Sequence, residues 1–197
     1  MPSPIEITNS ALTALHTLAL PEGVKVRLYA PAMYPRQFLE LLRIYMLEDG
    51  ALSDVFWWQQ PVPDDEKGGP EAFCRYFEGV VLLVVFADDL APMGMVWFSD
   101  VLPGQQADMS VWYCRRYWGR EIRAISRECL HWAFVHFRLQ RAWSMTIFPG
   151  AAVHALASGG ALHATVPDRL WYKGQLWPVY VHRATLTSVE EARHGQR

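Results

Sequence analysis

A strand that runs into a basic turn and then into a long helix constrains the fold of this chain more than any other feature. The strand is expected over residues 108–113 and the helix over about 119–139. The turn crowds four arginines around the helix start, where the helix dipole already contributes positive charge. These arginines are Arg115, Arg116, Arg120 and Arg123. Because free backbone N–H groups at a helix N-terminus bind anions, the pattern indicates a phosphate site, with a solvated basic turn as the alternative.

Composition and charge place the chain among globular proteins. Its 197 residues are enough for a buried core, and 51% of them are apolar. The net charge of −2 argues against a nucleic-acid binder that works through a broad basic surface. No apolar run is long enough for a membrane span, no signal-peptide pattern is visible, and the three cysteines form no CxxC pair. We therefore expect a cytoplasmic protein with reduced thiols that binds neither nucleic acid nor membrane.

The periodicity of apolar residues predicts the element order β-α-α-β-β-β-α-β-α-β-β. Residues 80–86 are apolar on both faces, which is typical of a central strand. The long helix presents apolar residues at spacings of three and four, so that one face is buried. The pattern therefore predicts a single mixed α/β domain.

This order, with the strand, basic turn and helix at its centre, resembles the GCN5-related N-acetyltransferase (GNAT) superfamily over roughly residues 24–186. The resemblance implies a central mixed, largely antiparallel sheet flanked by helices. In that family the fourth strand offers backbone groups to the pantetheine arm of acetyl-CoA, and the following turn wraps the pyrophosphate. The predicted division of the chain is an N-terminal extension, a GNAT-like domain and a C-terminal tail, namely residues 1–23, 24–187 and 188–197.

The family's six-residue pyrophosphate motif, Arg/Gln-x-x-Gly-x-Gly/Ala, falls on residues 118–123 when it is placed by its distance from the strand. A second register, which begins at Arg116, matches the first and fourth motif positions. The chain departs from the motif at Glu121, which replaces a glycine, and at Arg123, which replaces a small residue. The cofactor-binding residues that the resemblance implies are Val111, Tyr113, Arg116, Trp118, Gly119, Arg120, Glu121, Ile122 and Arg123.

Acetyl transfer to an amine needs a neutral nucleophile, a polarised thioester carbonyl and a route for one proton. Asp108, on the strand beside the expected cofactor, is a candidate base; the alternative is a solvated residue at a strand end. His154, on the short helix after the fifth strand, is a second catalytic candidate; the alternative is a structural histidine. Family members commonly have Asn at the start of that helix and a proton-donating Tyr near its end. This chain has proline at the first position and alanine or leucine at the second.

A long loop over residues 50–70 contains Trp57 and Trp58, followed by a cluster of acidic residues. Long loops inside compact domains are often functional. In the family this loop covers the acceptor side, where acids attract a cationic amine and aromatic faces bind it. The alternative is that the tryptophans anchor the loop hydrophobically. The resemblance thus implies that Trp57 and Trp58 contact the acceptor.

Two functions are consistent with these observations. The first is an acetyl-CoA-dependent N-acetyltransferase that modifies a primary amine of a small molecule or protein. The second is a non-catalytic GNAT-fold module for binding or assembly. The histidines lack ligand partners at metal-binding spacing, so no metal is expected. A homodimer is an additional candidate assembly.

Overall fold

The computed structural model describes residues 9–30, 34–55 and 69–195. The strands are β1 (Lys25–Leu28), β2 (Val81–Phe86), β3 (Pro92–Leu102), β4 (Gln106–Tyr113), β5 (Arg141–Thr146), β6 (Ala161–Tyr172) and β7 (Gln175–Ala184). The helices are α1 (Asn9–Leu15), α2 (Arg36–Glu48), α3 (Leu52–Val55), α4 (Gly69–Phe77), α5 (Arg120–Phe137), α6 (Pro149–Ala157) and α7 (Leu186–Arg193). A single 3-10 turn, Arg115–Tyr117, links β4 to α5.

The strands of the described part form one sheet in the order β1-β2-β3-β4-β5-β7-β6. Every neighbouring pair is antiparallel except β4 and β5, which are parallel. All six residues of β2 are buried, as expected for a strand that is apolar on both faces. The predicted mixed, largely antiparallel sheet with flanking helices is therefore confirmed.

Helices cover both faces of the sheet over two large apolar cores, and a third, smaller cluster contains Ile147 and Val179. One core lies between the sheet and helices α1, α5 and α7. The other lies between the opposite face and helices α2, α3 and α4. The predicted apolar face of α5 is buried in the first core and comprises Ile122, Ile125, Cys129, Ala133 and Phe137. Because side chains alternate along β4, its successive residues contribute to the two cores in turn.

The chain after β7 differs from the sequence prediction. The pattern predicts a last strand over residues 176–186 and a tail from residue 188, but α7 begins at Leu186. Thr185 and Ser188 form reciprocal side-chain-to-backbone hydrogen bonds that cap this helix. Val189 is fully buried against the core that contains α5. The domain boundary at residue 187 remains a prediction, but the segment that follows it includes core residues.

Candidate active site

The parallel pairing of β4 and β5 is short. It covers only Gln106 with Arg141, Ala107 with Ala142 and Asp108 with Trp143. Beyond these three pairs β4 and β5 are not paired with each other, although both strands continue. The strands thus separate into a cleft, and each strand presents an edge of backbone polar groups to it.

The hydrogen-bonding register shows which β4 residues turn their backbone groups to the cleft. The Cys114 N–H donates to the Met93 carbonyl oxygen of β3 at 2.9 Å. Because such bonds alternate along an antiparallel ladder, Val111 and Tyr113 direct their backbone groups away from β3 and toward the cleft. The Tyr113 carbonyl oxygen accepts a hydrogen bond from the Trp118 indole N–H at 2.8 Å. Both predicted pantetheine-facing residues lie on this edge; their contact with a ligand remains a prediction.

Two cavities open from the cleft; one is lined by residues of α6 and α3, and the other by residues of α4. The α6 cavity, of about 150 Å³, lies among β4, β5, α6 and β7, and its lining includes His154 and His182. The α4 cavity, of about 430 Å³, is lined by residues that include Tyr76, Asp100 and Asp108. Five residues line both cavities: Met109, Ser110, Trp143, Ser144 and Met145. The two cavities therefore meet where β4 and β5 separate.

A buried hydrogen-bond chain reaches His154 beside the α6 cavity. The Tyr113 hydroxyl lies 2.8 Å from Ser126 Oγ, and Ser126 Oγ lies 2.9 Å from His154 Nε2. Burial raises the pKa of Tyr113 well above its ordinary value, so this phenol keeps its proton. Either hydroxyl can donate in the Tyr113–Ser126 bond, and the tautomer of His154 decides whether Nε2 accepts from Ser126 or donates to it.

The same surroundings keep His154 neutral. Burial, together with the positive charge of Arg123, lowers the pKa of His154 to about 4. At neutral pH the ring is therefore an uncharged hydrogen-bonding group, and it does not act as an imidazolium acid. The catalytic role of His154 remains a prediction.

His182 is the functional candidate that sequence reasoning missed. It lies on β7, opposite Ser144 of β5 and Leu162 of β6, and its side chain is almost fully buried. Neither ring nitrogen has a hydrogen-bond partner among the described residues. Burial lowers the pKa of His182. In the sequence, His182 has no acidic or cysteine neighbour at metal-ligand spacing that would draw attention to it. It reaches the cavity because β7 lies next to β5 in the sheet.

Two acidic side chains, Asp100 and Asp108, line the α4 cavity. Asp108 belongs to the last β4–β5 pair, at the point where the strands separate. Burial, and then the negative charge of Asp100, raises the pKa of Asp108. A carboxylate with a raised pKa is a stronger base than an ordinary aspartate. Asp108 and His154 therefore line different cavities.

The start of α5 holds most of the predicted pyrophosphate residues. Glu121 and Arg123 are exposed in the first turn, and Trp118 is 66% exposed. The Ile122 side chain is buried in the core, so this residue can offer a ligand only its backbone. Arg120 begins the helix after Gly119, and the Arg116 guanidinium lies over the Tyr117 ring. The assignment of phosphate contacts to these residues remains a prediction.

The predicted acceptor residues Trp57 and Trp58, and the acidic cluster after them, lie outside the described residues. The segment that leads toward them is anchored beside the α6 cavity. Asp54 of α3 lines this cavity and accepts hydrogen bonds from the Tyr172 hydroxyl and the Lys173 ammonium group of the β6–β7 turn. Helix α3, which precedes this segment, is therefore held next to the cleft.

Metal and membrane features are lacking in the part of the chain that the structure describes. Within residues 9–30, 34–55 and 69–195, no three His, Cys, Asp or Glu side chains come together as a metal site. Each helix there falls short of the length or hydropathy needed to cross a bilayer. The three cysteines, Cys74, Cys114 and Cys129, are buried and unpaired by disulfides. Burial raises the pKa of the Cys114 thiol to about 11, which keeps it protonated and unreactive.

Solved structures share this fold at low sequence identity. A spermidine N-acetyltransferase from Vibrio cholerae, in complex with CoA and spermine, matches with a TM-score of 0.65 and 13% identity, over 86% of this chain and 99% of that chain. A ribosomal-protein-S5-alanine acetyltransferase from Vibrio fischeri matches with a TM-score of 0.65 and 15% identity, over 84% of this chain and 94% of that chain. No family model and no curated protein sequence matches the chain. The likeness confirms the predicted GNAT fold.

Proposed function

We propose that the chain is an N-acetyltransferase that transfers the acetyl group of acetyl-CoA to a primary amine of a small molecule or protein. The observation that carries this proposal is the meeting of two cavities where β4 and β5 separate. In acetyl transfer the amine must reach the thioester carbonyl carbon while acetyl-CoA is held from another direction. The opening between β4 and β5 provides such a meeting point, bordered by Met109, Ser110 and Ser144.

The donor fits the α6 side of the cleft. The free edge of β4, which includes the Val111 backbone, offers hydrogen bonds to the amides of the pantetheine arm. The pyrophosphate then lies at the start of α5, where backbone N–H groups and Arg123 supply positive potential. A CoA complex of a protein with this fold gives additional support.

The acceptor fits the α4 side, because Asp100 and Asp108 attract a cationic amine there. Asp108 takes one proton from the ammonium group, either directly or through a water molecule. The neutral nitrogen attacks the thioester carbonyl carbon, so that a C–N bond forms and the C–S bond breaks. The amide nitrogen loses its second proton, and the CoA thiolate is released to be protonated. The raised pKa of Asp108 favours the first step.

His154 has a supporting role in this scheme. Because its pKa is about 4, the ring is neutral at pH 7 and does not deliver a proton from an imidazolium. In the tautomer in which Ser126 donates to Nε2, the Nδ1–H stabilises by a hydrogen bond the negative charge that develops on sulfur, while Ser126 fixes the ring. This role replaces that of the tyrosine which family members commonly carry near the end of the corresponding helix.

A non-catalytic binding or assembly module is the second candidate. Glu121, an exposed carboxylate at the helix start, weakens the positive potential that a pyrophosphate needs.

Three further properties are proposed: an amine as the acceptor, a cytoplasmic location and assembly into a homodimer. A dodecameric spermidine N-acetyltransferase with this fold supports assembly into oligomers, and three buried cysteines support a reducing compartment.

Calorimetric titration with acetyl-CoA, followed by an assay of thiol release on a panel of amines, tests the proposal. We expect Asp108→Asn to lower kcat/KM by about 100-fold, because a general base is removed, and to leave acetyl-CoA affinity unchanged. Asp88→Asn, an exposed change on the β2–β3 turn, is the matched control. Binding of acetyl-CoA without turnover on any amine would favour the module, and an absence of binding would exclude the donor site.

A further inference from the structure

His182 is a buried polar residue that the scheme above does not use. Its side chain is 2% exposed, and both ring nitrogens are buried without a hydrogen-bond partner among the described residues. Buried polar groups in folded proteins are nearly always paired, and each exception needs a cause. The residue lines the α6 cavity, where a bound molecule is the available cause.

Three of the neighbouring polar residues of the cavity have hydrogen-bond partners elsewhere. His154 Nε2 is bonded to Ser126, and the Ser158 hydroxyl donates to the His154 carbonyl oxygen. Asp54, which also lines the cavity, accepts from the β6–β7 turn. Ser144, opposite His182 on β5, also lines the cavity, but no described group bonds to either His182 ring nitrogen.

We infer that His182 is a donor-binding residue whose partner is an amide of the pantetheine arm of acyl-CoA. The inference rests on the proposed function. A neutral imidazole carries one N–H donor and one lone-pair acceptor, and a secondary amide carries the same pair of groups. The lowered pKa of His182 keeps the ring in this neutral form. Rotation about the second side-chain torsion, whose profile is broad, turns a ring nitrogen to the cavity.

If the inference is correct, the substitution His182→Leu should keep or raise the melting temperature and lower the affinity for CoA. His182→Leu replaces an unpaired polar ring by an apolar side chain, so the ligand-free protein should melt at an unchanged or higher temperature. The same change removes a hydrogen bond to pantetheine, so affinity for CoA should fall by about tenfold. His136→Leu, at a half-buried position on α5 outside both cavities, is the matched control.

Titration with two probes separates binding of the pantetheine arm from binding of the nucleotide. CoA has the arm, whereas adenosine 3′-phosphate 5′-diphosphate has the nucleotide and its pyrophosphate without the arm. We expect His182→Leu to weaken CoA alone. Equal affinity of variant and wild type for CoA would overturn the inference, as would a similar loss for both probes together with a lower melting temperature.

A measurement on the wild type avoids dependence on the folding of the variant. In protein labelled with ¹⁵N in its histidines, the His182 ring nitrogens should shift on addition of CoA and stay in place with the shorter probe. Unmoved His182 signals under saturating CoA would overturn the inference and leave the proposed function intact. If wild-type protein binds no CoA in either experiment, the proposed function fails and this inference fails with it.

Discussion

Replacing His154 should change how the stability of the protein depends on pH. In the folded state the ring is held neutral, with a pKa of about 4 instead of the ordinary 6.5. The main cause is burial, which penalises the charged ring, and Arg123 adds electrostatic repulsion. His154→Gln removes the titrating group and retains an amide that can bond to Ser126.

The sign and size of the change in the free energy of unfolding follow from this pKa shift. A depressed pKa contributes stability that is fully present above the unfolded-state value of 6.5 and is lost progressively as the pH falls from there to about 4. At about 1.4 kcal/mol per pKa unit, the whole shift corresponds to about 3 kcal/mol. By pH 5.0 about 2 kcal/mol of this should be lost. Partial contact of the ring with solvent makes these figures upper values.

Urea unfolding followed by tryptophan fluorescence at pH 7.5 and 5.0 measures the effect. Other groups titrate in this range, so the informative quantity is the difference between wild type and variant. The free energy of unfolding should fall by about 2 kcal/mol more for the wild type than for His154→Gln. His163→Gln, an exposed change on β6 outside both cavities, is the matched control and should follow the wild type.

Two results would contradict the reasoning about His154. If wild type and His154→Gln lose stability in parallel from pH 7.5 to 5.0, the ring is not desolvated in the folded protein. If the variant loses more than the wild type, the folded state favours the charged ring and the sign is wrong. Either result would also remove the argument that His154 is neutral at the reaction centre.

Three further substitutions test the surroundings of the cleft and the core. Arg123→Ala should raise the pKa of His154, since the Arg123 charge is one cause of its depression; an unchanged NMR titration would place that charge elsewhere. Gly94→Ala should cost about 1–3 kcal/mol in urea unfolding, because a Cβ there would lie 2.3 Å from a β4 carbonyl oxygen; an unchanged midpoint would contradict this packing. Arg193→Met should cost about 3–5 kcal/mol, because buried Glu128 loses its charged partner, and adding Glu128→Leu should restore most of the loss.

Local patterns were sufficient to predict the elements around the cleft. Alternation along β4 and the spacing of apolar residues along α5 are properties of short segments, and both elements occur where the sequence places them. Exposure of single residues was less predictable. The spacing of apolar residues over 35–48 predicts that Leu41 faces inward with Leu42 and Met46, but Leu41 is 41% exposed, and the buried positions of α2 are Leu39, Leu42 and Met46. Which of these residues are buried depends on the rotation of α2 about its own axis, and contacts with the sheet set that rotation.

The features that sequence reasoning missed depend on contacts between distant segments. Helix α7 is short and polar, and its cap pairs Thr185 with Ser188 in place of the more recognisable Glu or Gln. The position of His182 beside the α6 cavity requires β7 to lie between β5 and β6, against the order of the chain. No local pattern in β7 specifies this neighbour, so the histidine is unremarkable until the sheet is assembled.

The short junction between β4 and β5 also has a mechanical consequence. Three residue pairs join a four-stranded half of the sheet to a three-stranded half, and helix α5 crosses between them. Resistance to shear along this line is therefore lower than along any fully paired neighbour in the described sheet. A ligand that bonds to both free edges would act as a substitute strand and make the halves deform together. When a ligand fills the cleft, amide hydrogens on both β4 and β5 should exchange with solvent more slowly than in the ligand-free protein. Ligand binding would then stiffen the whole sheet.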